Sequence, residues 1–96
     1  MIKTTVIQAP EYVVQFEEHN GLTFVHCEVF KWNKTVRKRL QQEFEILKLI
    51  RGAPIFAVHE IGDEKHAKFL NLFNFNYVQD IYGLDHVTRQ LFVTGN

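Results

Sequence analysis

The strongest constraint on this chain lies between residues 22 and 61, where one amphipathic segment sits between two apolar runs. In KTVRKRLQQEFEILKLIR (34–51), Val36, Leu40, Phe44, Leu47 and Ile50 recur at helical spacing. Gln41, Gln42, Glu45 and Lys48 turn outward, so the segment reads as a helix with one buried face. Asn33 or Thr35 can cap its start, and Gly52 can end it in the left-handed conformation with Pro54 just beyond. LTFVHCEVF (22–30) reads as a strand with Leu22, Phe24, His26, Glu28 and Phe30 on one face and Thr23, Val25, Cys27 and Val29 on the other. Apolar groups on both faces predict a strand covered on each side. PIFAVHEI (54–61) reads as a second buried strand, which makes the whole stretch a crossover unit.

The flanks complete the pattern. TTVIQAP (4–10) and YVVQFEE (12–18) read as strands, the second with Tyr12, Val14 and Phe16 on one side. Asn20-Gly21 signals a hairpin, because both residues tolerate positive φ. GDEKHAKFLNLFN (62–74) reads as a short helix with Asp63 as its cap and Asn74 taking the left-handed terminal position. FNYVQDIYGLDHVTRQLFVT then gives two strands in a hairpin around YGLDH. The order β-β-β-α-β-α-β-β predicts an α+β fold, one twisted and mostly antiparallel sheet with two helices, in a single domain over residues 1–96.

Bulk properties exclude several classes. Ninety-six residues suit one domain with a modest core, and nine phenylalanines fill that core with aromatic bulk. Eleven cations against eleven anions leave no net field to draw nucleic acid or an acidic membrane, so any basic function is local. The single cysteine, Cys27, excludes an intramolecular disulfide and fits a reducing cytoplasm. No apolar run approaches the roughly 20 residues of a membrane span, and MIKTTVIQAPEY is too polar for a signal peptide.

The element order, together with DEKHAKFLNLFNF running into NYVQDI, resembles the C-terminal two-thirds of the GNAT acetyltransferase superfamily, truncated by its first strand and helices. The family's fourth helix runs Asn-x-x-Ala-x-x-x-Tyr-x-x-x-Gly-Phe, which places Asp63, His66, Leu70, Asn74 and Phe75 at those positions. The resemblance implies acetyl-coenzyme A as cofactor, gripped by the backbone of a glycine-containing loop ahead of the long helix. Here that segment is WNKTVR, with Trp32, Thr35 and Arg37 in the matching places and no glycine. The tyrosine that protonates the leaving thiolate in the family is Leu70, which has no proton to give. A strand glutamate serves as base in the family, and Glu28 stands where an enzyme would need it.

The cations at the start of the long helix are the candidate site. Lys34, Arg37, Lys38 and Arg39 oppose the helix dipole, which favours acids there. A solvated face accounts for them at about 0.3–1 kcal/mol each. An anion or acidic partner seated against Trp32, Lys34, Arg37 and Lys38 accounts for them as well. Arg39 and Glu43 form an i,i+4 pair. The five histidines lack metal spacing and read as structural, and Cys27 reads as a buried, inert thiol. Phe30, Trp32, Phe69, Phe73, Phe75 and Tyr77 read as core rather than as a base-stacking platform, with Trp32 set apart at the strand-helix junction, where an exposed ring could anchor a partner.

Three functions follow. The first is a non-catalytic interaction protein on a degenerate GNAT-like scaffold, such as a phage accessory protein binding an acidic surface of a host or virion protein, as monomer or homodimer. The second is an acetyl-CoA-dependent N-acetyltransferase. The third is a nucleic-acid-binding module using KTVRKR, which the zero net charge disfavours.

Overall fold

The computed structural model describes residues 2–52 and 54–94. Its elements run β1 (Lys3–Gln8), β2 (Tyr12–His19), β3 (Leu22–Val29), α1 (Lys34–Arg51), β4 (Ile55–Glu60), α2 (Glu64–Leu72), β5 (Phe75–Tyr82) and β6 (Thr88–Thr94). This is the α+β order read from the sequence. The chain divides into two compact units, one up to Ile55 and the other from Phe56.

In the first unit, β1, β2 and β3 form an antiparallel meander. The β2–β3 turn places Asn20 at φ 53° and Gly21 at φ 79°, the pair of positive values that a tight two-residue hairpin requires. Register then runs from His19 opposite Leu22 to Tyr12 opposite Val29. Tyr12 and Val14 are buried on one face of β2 as the alternation predicts. β3 departs from expectation. Thr23 is buried, but Leu22, Glu28 and Val29 are exposed, so the strand is not covered along both faces.

α1 starts on Asn33, whose side-chain oxygen accepts from the Val36 N–H at 2.9 Å, and ends on Gly52 at φ 63°. Val36, Leu40 and Phe44 are buried, but Ile50 is 78% exposed, against the reading that placed it on the inner face. The inward line follows Leu40, Phe44 and Leu47 to Arg51, whose guanidinium meets Thr23 and Glu18 of the hairpin. Ile50 precedes Arg51 by one step, about 100° around the helix, and so turns out to solvent with Ile46 and Leu49.

In the second unit, β4, β6 and β5 pair antiparallel in that order, with a bulge in β5 between Tyr77 and Gln79. Ile55, Ala57 and His59 are buried on one side of β4, while Val58 and Glu60 face out, so this strand too is covered on one face. α2 is capped by Asp63, whose carboxylate accepts from the His66 N–H at 3.1 Å, and Asn74 takes φ 60° beyond its end. Leu70, Phe73 and Phe75 are core, but Phe30, Trp32 and Tyr77 are about half exposed, so only part of the aromatic set is interior. The Asn20-Gly21 turn and both helix N-caps were legible because their side-chain chemistry is local.

Phe44→Ala is expected to destabilise the protein by about 3–5 kcal/mol, because it empties a buried ring site. Ile50→Gln is expected to stay within about 0.5 kcal/mol of wild type. Chemical denaturation of both variants separates the two helix faces.

Candidate functional site

The junction between β3 and α1 is built around Glu11. Its backbone carbonyl accepts from the Phe30 N–H at 2.8 Å and from the Lys31 N–H at 3.2 Å, which fixes the approach to the helix. Its carboxylate accepts from Arg39 Nη2. Arg39 Nε also donates to the Tyr12 hydroxyl at 3.0 Å and lies 3.7 Å from Glu43, while its Cζ rides 5.2 Å from the Tyr12 ring centre. The Tyr12 hydroxyl in turn donates to the Glu43 carboxylate. Hydrogen bonding to Arg39 holds the Glu11 carboxyl below its usual range, and burial pushes the Tyr12 hydroxyl up.

One of the four dipole-opposed cations is thereby answered within the fold, since Arg39 is held by two carboxylates and a phenol. The other three are not. Among the described residues, Lys34, Arg37 and Lys38 have no ion-pair partner, and Arg37 Nε is buried without a hydrogen-bond partner. No acid stands in the first turn of α1. Lys34, Thr35, Lys38, Arg39 and Gln42 line an open depression of about 420 Å³ along the outer side of the helix. Trp32 and Phe30, at 47% and 58% exposed, stand just before the helix.

Of the residues singled out in the sequence, Lys34 and Lys38 therefore come together in one depression, and Trp32 is exposed next to them in the chain. Arg37 does not line it, because one residue step turns its side chain about 100° from Lys38. Glu28 lies exposed on β3 opposite Val13. Leu70 is buried in the core. Cys27 is only partly buried, yet burial pushes its thiol up to about 11, which keeps it a poor nucleophile at neutral pH. Among the described residues, no group of three or more His, Cys, Asp or Glu side chains could hold a metal ion.

Sequence reasoning missed two clusters. It saw Arg39–Glu43 but not the reach of Arg39 to Glu11 and Tyr12, whose only signal is an acid beside an aromatic at a strand start. It also missed the meeting of His59 and His66 across two elements.

No protein-family model matches the sequence, and no curated protein does. A solved structure of a Bordetella pertussis protein assigned to the GnaT acetyltransferase family is similar in fold, with a TM-score of 0.69 at 9% identity. The likeness covers 88% of this chain and 57% of that one. The fold is GNAT-like, and the chain spans little more than half the length of that neighbour.

Tyr12→Phe should destabilise by about 1–3 kcal/mol, because Glu43 and Arg39 lose a shared partner in a partly buried place. Thermal denaturation measures this. Cys27 should react slowly with iodoacetamide at pH 7 in the native state and at the rate of a free thiol in denaturant, which mass spectrometry can follow.

Proposed function

We propose that this chain is a non-catalytic interaction module on a GNAT-like scaffold, binding an acidic surface of a protein partner through the start of α1. The observation that carries this reading is the pair Lys34 and Lys38, unpaired among the described residues and lining one open depression. Each ammonium is an exposed point charge, and the exposed N-terminal end of a helix adds partial positive charge to both. Trp32 and Phe30 supply flat apolar surface next to the helix start, the residue type that anchors protein interfaces.

The same place argues against a coenzyme A loop. Thr35 and Arg37 carry Cβ atoms where close approach of a pyrophosphate to the backbone calls for glycine. Leu70 is interior and offers no proton to a leaving thiolate. Neutral net charge gives no long-range attraction for nucleic acid, so recognition of a charged partner works over the short range of a local patch.

The experiment begins with affinity capture of a partner from the native host, followed by binding titrations across a salt series. Lys34→Ala with Lys38→Ala should weaken binding about tenfold and flatten its salt dependence, and Trp32→Ala should cost about 2 kcal/mol or more. The fold should be untouched by the lysine changes, since neither side chain is buried. Wild-type affinity in the double lysine variant, or salt-dependent binding of random-sequence DNA or RNA in place of a protein, contradicts the proposal.

A further inference from the structure

We infer that His59 and His66 form a proton-operated latch that fastens α2 to β4 and opens on acidification. His59 sits on the buried side of β4 at 5% exposure, and His66 lies in the first turn of α2, partly buried. Their Nδ1 atoms are 2.8 Å apart. The ring centroids lie 5.1 Å apart with 21° between planes, which is the nitrogen–nitrogen distance plus one ring radius at each end. The rings therefore meet edge to edge, nearly coplanar, with the two nitrogens pointing at each other. That is the geometry of an N–H···N hydrogen bond. It does not suit a shared metal, because Zn–N bonds of about 2.0–2.1 Å need both lone pairs aimed at a third point.

Such a bond has a strict proton rule. One Nδ1 must carry a hydrogen and the other must be bare. A single imidazolium satisfies the rule, whereas two place hydrogens head to head and charges side by side. The surroundings give little relief. His66 stacks on Phe69 of α2 at 6.3 Å, and His59 and Phe92 of β6 meet in a T-shaped contact at 5.8 Å. Gln90 of β6 is paired with His59 in register and is uncharged. Asp63, at the cap of α2, bears on His66 and favours a proton there. Burial and a charge on His59 outweigh it, and they hold the His66 imidazole below its ordinary value.

The sign follows. The unfolded chain takes a proton on the His66 imidazole near pH 6.5, and burial in the latched pair resists it. The stability that the latch gives α2 is therefore fully present above that pH and is lost as pH falls below it. Opening would uncover Leu70 and Phe73, at 1% and 3% exposure, as new apolar surface.

Hydrogen exchange at pH 7.5 and pH 5.0, expressed as protection factors, tests the latch on the intact protein. Amides 64–72 should lose at least tenfold protection on acidification while amides 12–19 keep theirs, a local readout that separates the pair from His19, His26 and His86. Unchanged protection over 64–72 overturns the inference. His66→Gln keeps an amide donor for His59 but removes the second charge, so its protection over 64–72 should not depend on pH, and the wild-type acid loss in this variant would also overturn it. Should the variant fail to fold, imidazole ¹⁵N spectra of the wild type at pH 7.5 decide. One ring of the pair protonated on Nδ1 and the other on Nε2 supports the latch, and two Nε2-protonated rings contradict it.

Discussion

The first unit of this protein depends on one guanidinium. Arg39 reaches across from α1 to gather Glu11 and Tyr12 at the start of β2, with Glu43 one helical turn on. Tyr12 is wholly buried, so its hydroxyl must find partners inside the fold, and Arg39 and Glu43 supply them. The carbonyl of the same Glu11 fixes the turn that leads into α1. A planar fork suits this role better than a lysine would, because it serves several acceptors at fixed angles. With Arg39 paired to Glu11 and Glu43, Lys34 and Lys38 are left as the unpaired exposed charge of that depression.

That division explains how a helix can open against its own dipole. A misplaced cation costs only tenths of a kcal/mol to about 1 kcal/mol, small beside the burial of Val36, Leu40 and Phe44. Packing sets the helix, and the Asn33 cap sets its first residue. The GNAT-like fold is shared with a structural neighbour at 9% identity, because strand alternation, caps and turns specify it.

Much of this was legible in the sequence. Asn33, Gly52, Asp63, Asn74 and Asn20-Gly21 each act through their own backbone or neighbours within four residues, so local chemistry identified them. Burial was legible where periodicity ran unbroken, as at Tyr12, Val14, Leu40 and Phe44. It failed at Ile50 and Phe30, because hydrophobicity along one chain does not report how far a neighbouring element extends. The candidate site was legible as a run of cations but not as a shape. Which cation finds partners within the fold depends on Glu11 and Tyr12, some 28 positions from Arg39, and the His59–His66 contact depends on the approach of a helix to a strand.

The start of α1 is proposed to act through its side chains rather than as a coenzyme A loop. Thermal denaturation with a large excess of acetyl-coenzyme A tests this most directly. A ligand at 100 times its dissociation constant stabilises the native state by about 2.7 kcal/mol, roughly 10–20 °C in melting temperature for a domain of this size. No shift is expected at millimolar acetyl-coenzyme A. A saturable rise of that order would contradict the proposal.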